Sequence, residues 1–114
     1  MELIFVSGKY GGKTKEETIR NIVCADVAAA KLWRRGFAVF SPHLNTALFD
    51  WDYPDIPREV YLEGDLEILK RCDSIYMLKG FKQSEGAMAE LRLALKLGLK
   101  VYYEEADNEI DKVA

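Results

Sequence analysis

Short apolar runs alternate along the chain with longer stretches in which apolar residues recur at helical spacing. "LIFVS", Leu3 to Ser7, is a continuous apolar run of the kind expected for a parallel strand buried on both faces. A Gly-rich turn follows, and Thr14 is a natural N-cap for a helix from about Lys15 to Arg35 that stops at Gly36. "FAVFSP" reads as the second strand, ended by Pro42. "HLNTALFDWDYPDI" is too apolar for a plain linker and too irregular for one element, and loops of that length inside a compact domain tend to be functional. Pro57 suits the first position of a second helix running to about Cys72. "DSIYMLK" is the third strand, "GFKQ" a loop, and Ser84 the cap of a third helix ended by Gly98. "LKVYYE" is the fourth strand, and the acidic tail "EADNEIDKVA" reads as a helical turn or a loose end.

This order, β-α-β-loop-α-β-α-β, predicts a three-layer α/β fold. Its core is a flavodoxin-like (Rossmann-like) parallel sheet of about four strands with helices on both faces, in one domain spanning residues 1–114. In a 2-1-3-4 strand order the ligand crevice lies outside the carboxyl ends of strands one and three. Those ends carry "SGKYGG" and "KGFKQSEG", so the topology brings the opening turn and the Ser84 helix start together.

Composition narrows the partners. The net charge is −3 with 31% charged residues, a balance not built to coat a nucleic-acid polymer or an anionic membrane. No stretch reaches the roughly 18 apolar residues of a membrane span. "MELIFVSG" lacks the basic region and long apolar run of a signal peptide, so a soluble cytoplasmic protein is expected. Cys24 and Cys72 form no CxxC, and one histidine cannot complete a zinc set with them. Both fall within predicted helices among apolar residues and read as small buried hydrophobes. No metal or redox cofactor is expected.

"SGKYGGKT", Ser7 to Thr14, ends as a phosphate-binding P-loop ends, but Ser7 stands where that motif has its first glycine. The strand-end acid that would hold magnesium is also misplaced: Asp73 opens the third strand, and Glu104 closes a short edge strand. A P-loop-like phosphohydrolase is therefore the weaker alternative. Gly8, Gly11 and Gly12 would let backbone N–H groups approach a ligand, or would simply make a tight turn.

Two acids sit on the wrong helix faces. At about 100° per residue, Glu85, Arg92 and Lys96 form the polar side of the third helix, and Glu90 falls about 140° from its centre. In the second helix Tyr61, Leu62, Leu66 and Leu69 form the core side, with Asp65 in the middle of it. A buried carboxylate without a partner is expensive. Either Glu90 reaches solvent at the helix margin and Asp65 pairs with a backbone N–H, Lys79 or Arg58, or the two acids mark a site. Paired carboxylates suit glycosidic chemistry, one as nucleophile and the other managing protons.

"GDLEILKRCDSIYML" followed by "SEGAMAELRLALKLGLKVYY" resembles the nucleoside 2-deoxyribosyltransferase superfamily, which includes the 2'-deoxynucleoside 5'-phosphate N-hydrolases, and most closely its compact bacterial and phage branch. The family pattern, an aspartate opening DLxxLxxAD and then SxGxxxELxxA, falls here on Asp65, Leu66, Leu69 and Asp73, then Ser84, Gly86, Glu90, Leu91 and Ala94. The resemblance covers roughly residues 2 to 104. It implies N-glycosidic bond cleavage or base exchange on a (deoxy)nucleoside or nucleoside 5'-monophosphate through a covalent glycosyl-Glu90 intermediate. Asp65 would assist base departure or contact the base, and Ser84 and Gly86 would hold the sugar or its 5'-phosphate. Gly8, Gly11 and Gly12 would line the same pocket, and the protein would be a homodimer or larger homo-oligomer. The chain departs from the hydrolase branch at Gly8-Lys9-Tyr10, where that branch has Ser and Arg, so Lys9 or Lys13 would have to face a phosphate. Met88 stands where a small residue is common and would narrow the pocket. The alternative is a non-catalytic nucleotide-binding or regulatory module of the same fold.

Four aromatic or imidazole side chains complete the candidate site. His43 lies at the ligand edge of the sheet, as a base contact, a proton relay or a structural residue. Trp51 and Tyr53 either stack on a base or pin the long loop. Tyr10 either bonds a sugar hydroxyl or caps its loop. Ser7 and Lys9 complete the opening turn as candidate ligand contacts. The first helix is apolar on two sides, Ile22, Ala25, Ala29 and Leu32 on one, Ile19, Val23, Val27 and Trp33 on the other. The first side should face the sheet and the second another copy of the chain.

Overall fold

The computed structural model describes residues 1–104. The acidic tail from residue 105 onward lies outside the described residues. The sheet has four strands, β1 (Leu3–Ser7), β2 (Ala38–Phe40), β3 (Ser74–Met77) and β4 (Lys100–Tyr103), all parallel in the order β2-β1-β3-β4. The 2-1-3-4 expectation therefore holds. Five helices connect them: α1 (Lys15–Arg34), α2 (Pro42–Asn45), α3 (Phe49–Asp52), α4 (Arg58–Leu69) and α5 (Glu85–Leu97). This is the flavodoxin-like α/β arrangement.

Alternation along the central strands builds two cores. Ile4 and Val6 pack with Ala25, Ala28, Leu32, Phe37 and Tyr76 on the α1 side. Phe5 packs with Leu69, Ile75, Met77, Leu91 and Ala94 on the α4–α5 side. Ser7 follows Phe5 by two residues, so its hydroxyl points to the α5 side as well. The register Ser7↔Met77 aligns the carboxyl ends of β1 and β3. Past them the chains approach closely, and a Cβ on Gly8 would come within 2.7 Å of the Leu78 side chain. Gly98 ends α5 at φ +73°, a left-handed conformation that suits glycine.

Several boundaries differ from expectation. The 41–56 segment is not structureless: it forms the two short helices α2 and α3, with Leu48 between them at φ 61°. Pro42 belongs to the first turn of α2 rather than to the strand end. Pro57 caps α4 instead of opening it, and α4 ends at Leu69, leaving Cys72 beyond the helix. "GFKQ" contains a single 3-10 turn, Phe81–Gln83. Cys72 is buried as expected, but Cys24 is exposed, because it lies on the outer face of α1. On that face Ile19, Val23, Val27 and Trp33 are 41%, 54%, 64% and 55% exposed, so the second apolar stripe has no cover among the described residues. No helix among the described residues is long and apolar enough to cross a membrane.

Candidate active site at the carboxyl edge of the sheet

A cavity of about 460 Å³ opens where the carboxyl ends of β1 and β3 meet α4 and α5. The turn after β1 supplies Gly8 to Gly11, the α2–α3 segment supplies Pro42, His43, Thr46 and Asp50, α4 supplies Arg58, Tyr61, Leu62 and Asp65, and the start of α5 supplies Ser84 to Ala87 and Glu90. The two acids picked out by helical arithmetic thus face one cavity from two helices.

Ser7 is fully buried, and its Oγ donates to Glu90 Oε1 at 2.6 Å. That bond ties the end of β1 to the middle of α5. Burial pushes the Glu90 carboxyl up to about 7; the Ser7 hydrogen bond opposes the rise and the nearby charge of Asp65 adds to it. Asp65 is 6% exposed, and burial lifts its carboxyl to about 6. Neither acid has a cation partner among the described residues, so Lys79 and Arg58 do not neutralise Asp65. Two acids with raised, neighbouring proton affinities can divide the work of a nucleophile and a proton donor.

The family model described as "Domain of unknown function (DUF4406)" matches residues 2–103. The chain belongs to the DUF4406 family. No curated protein matches this DUF4406 chain. Among solved structures it is similar to a 2-deoxyribosyltransferase from the psychrotolerant bacterium Bacillus psychrosaccharolyticus. The TM-score is 0.64 at 22% identity, covering 89% of this chain and 70% of that one, a likeness of fold.

Most of the expected site residues of this DUF4406 domain converge. Gly8, Lys9, Tyr10, Gly11, His43, Asp65, Ser84, Gly86 and Glu90 all line the cavity. Ser7 does not; it acts on the cavity only through Glu90. Gly12 is a correction. It lies outside the lining, and its N–H donates to Thr18 Oγ1 at 3.3 Å. The Lys13 N–H donates to Glu17 Oε2 at 2.8 Å, and the Thr14 hydroxyl caps the Glu17 N–H at 3.2 Å. The N–H groups at Gly12 and Lys13, which a P-loop would turn to phosphate, are bonded to side chains of α1, one of them an anion. Asp73 spends its carboxylate on the Leu3 N–H at the opposite edge of the sheet, and Glu104 accepts from the Lys79 N–H. Among the described residues the P-loop alternative has neither its cradle nor its metal acid.

Other expectations resolve differently. Trp51 and Tyr53 are exposed and line no part of the cavity; Lys15 sits over the Trp51 ring at 5.6 Å, and Tyr53 packs edge-on against Phe49. Met88 packs toward the α5-side core rather than into the cavity. His43 Nε2 lies 2.9 Å from the Lys9 carbonyl, which requires Nε2 to carry the proton and donate. Its Nδ1 is then a buried acceptor with no partner among the described residues, and burial lowers the proton affinity of the ring. Tyr10 does cap a loop: its hydroxyl accepts from the Leu48 N–H at 2.8 Å and donates to Asp50 Oδ1 at 3.1 Å.

Sequence reasoning missed Asp50, Arg58, Gln83 and Glu85 as cavity residues, and assigned Tyr61 and Leu62 to the core. The last two lie on the apolar side of α4, but near its N-terminus that side passes beyond the sheet edge and meets the cavity. Asp50 sits on a four-residue helix, too short for any periodicity to mark it.

Proposed function

We propose that this protein cleaves or exchanges the N-glycosidic bond of a (deoxy)nucleoside or nucleoside 5'-monophosphate, within a single deoxyribosyltransferase-like domain. One observation carries the reading: Glu90, oriented by Ser7, shares a cavity with Asp65, and burial raises both carboxyls. The fold held in common with a 2-deoxyribosyltransferase supports it. Glu90 in its ionised form attacks the anomeric carbon. As the carbon–nitrogen bond breaks, its electron pair passes to the base, and protonated Asp65 delivers a proton to the departing ring. The resulting glycosyl ester is opened by water, which makes the enzyme a hydrolase, or by a second base, which makes it a transferase. In the hydrolytic case Asp65, now ionised, takes the proton of the attacking water, and the carboxylate of Glu90 is released.

Chromatography of deoxynucleosides and their 5'-monophosphates incubated with the protein tests the reading. Free base is expected from the native protein. Glu90→Ala should abolish release, and Asp65→Asn should slow it about 10²-fold, as for lost acid–base assistance. Unchanged release by Glu90→Ala would remove the nucleophile. Binding across the panel without any release would favour a non-catalytic nucleotide-binding module instead.

The same reading includes a homodimer closed over the outer face of α1. Its exposed apolar stripe is a contiguous patch of the kind that marks interfaces, and a two-fold pair is the commonest closure. Light scattering should find at least a dimer, and Val23→Asp should yield a monomer or an insoluble protein. A native monomer of about 13.0 kDa at micromolar concentration would overturn the assembly.

A further inference from the structure

One end of the cavity is built with more care than a passive wall needs. Tyr10, His43 and Tyr61 contribute rings to the lining, and Tyr10 meets His43 edge-on at 5.6 Å between centroids. Aromatic rings suit a flat heteroaromatic base. Beside them stands Asp50. Its Oδ1 accepts from the Tyr10 hydroxyl, and that same hydroxyl accepts from the Leu48 N–H. Leu48 adopts φ 61°, unusual for leucine, two residues before Asp50. A side chain that spends both its donor and its acceptor on one short segment, across 38 residues of sequence, fixes where that segment stands. The Tyr10 hydroxyl proton is thereby committed to Asp50 and is not free to be donated to a ligand. Asp50 Oδ2 has no partner among the described residues, and it can only accept.

We infer that Asp50, held in place by Tyr10, selects the base: it accepts from an exocyclic amino group, so that amino-bearing bases are favoured over their oxo counterparts. This rests on the nucleoside reading above and goes beyond it, since the chemistry assigned there to Glu90 and Asp65 names no base. A carboxylate gains a charge-assisted hydrogen bond from an amino group and faces a repelling lone pair in the oxo analogue. Discrimination of this kind arises because a polar group of the site is left unpaired by the wrong ligand. Asp50 is the specificity residue, and Tyr10 is a positioning residue that acts through it.

Calorimetry and base release, measured in parallel on the intact protein, test the inference. The ligands are 2'-deoxycytidine against 2'-deoxyuridine and 2'-deoxyadenosine against 2'-deoxyinosine, each as nucleoside and as 5'-monophosphate. Native protein should prefer the amino member of each pair by about 10-fold or more in affinity, the range of a charge-assisted hydrogen bond. Asp50→Ala should bring the ratio to about one. Asp50→Asn, of nearly the same shape, reads the same ratio if the alanine variant does not fold. Tyr10→Phe keeps the ring and frees the Asp50 segment, and should lower the ratio part of the way. A preference that is absent in the native protein, or unaltered in both Asp50 variants, overturns the inference while base release keeps the proposed chemistry. A preference lost with Asp50 but unaccompanied by base release upholds the inference and overturns the chemistry. No binding of any of these ligands overturns both.

Discussion

Two strand-to-helix turns leave the same edge of the sheet, and they spend their polar groups in opposite ways. After β1, the Gly12 and Lys13 N–H groups are bonded to Thr18 and Glu17 of the following helix. After β3, Ser84 caps α5 through the Ala87 N–H, and one turn further Glu90 meets Ser7 at the cavity. The first turn carries the more familiar string, Gly-Lys-Thr. The second carries an acid on an apolar face with no cation among the described residues to explain it. The difference teaches that a motif is tested by where its donors and acceptors end up: N–H groups already bonded to their own helix, as at Gly12 and Lys13, have nothing left to offer a ligand, whereas a carboxyl raised by burial still does.

The contrast breaks most visibly at Glu90 itself. A group whose carboxyl is raised in the folded state, here from 4.5 to about 7, contributes its full stabilising share below the unfolded value. That share is lost as pH rises from 4.5 through 7, where the buried charge must form. Glu90→Gln removes the charge and keeps an acceptor for Ser7. Base release should fall at least 10³-fold for want of a nucleophile. Thermal unfolding at pH 8 should at the same time show a gain of up to about 3 kcal/mol, at about 1.4 kcal/mol for each pH unit between 4.5 and about 7. At pH 4 the gain should vanish. A variant less stable than the native protein at pH 8 would show that Glu90 is a structural acid, and the two turns would no longer differ in kind.

The fold was legible because its signals are local. "LIFVS" and "SIYM" are apolar apart from one buried serine each since both faces of those strands are covered, and Gly36 and Gly98 stop their helices in the left-handed conformation. Glu90 and Asp65 were legible for the opposite reason, as charges in stripes that packing would fill with leucine or alanine. The α2–α3 segment was not. Two four-residue helices are too short to show a period, and what orders them is a bond from Tyr10, far away in sequence. Asp50 disappears in that stretch among Phe49, Trp51 and Asp52, of which only Asp50 reaches the cavity.

Proton balance sharpens the comparison at a smaller scale. The reactive pair needs Glu90 ionised and Asp65 protonated. With the two carboxyls at about 7 and about 6, kcat/KM should follow a narrow bell between those values. It should fall about tenfold per pH unit on either side. Because Glu90 holds its proton to the higher pH, the reactive arrangement is the minority form of the singly protonated pair. Ser7→Ala removes the hydrogen bond that holds the Glu90 carboxyl down. The alkaline limb, set by Glu90, should then move to higher pH while the acid limb stays in place, and the maximal rate should drop about tenfold, the worth of one hydrogen bond to a charged group. A plateau from pH 5 to 9 would mean that neither acid takes part in the rate.

The smallest effect is expected at the more familiar string. Lys13 is exposed and outside the cavity lining, and its backbone donor is bonded to Glu17. An incoming triphosphate would have to displace that carboxylate from the turn and would then face its charge across a few ångströms. Opposed charges at such range are worth about 1 kcal/mol even in water, and here both are anions. Calorimetry with ATP or GTP and magnesium should therefore show no tight binding, and Lys13→Ala should leave both base release and thermal stability within error of the native protein. Tight magnesium-dependent binding that Lys13→Ala destroys would mean that the turn can open, that Glu17 is a gate rather than a plug, and that the site at the edge of this sheet is the first turn and not the second.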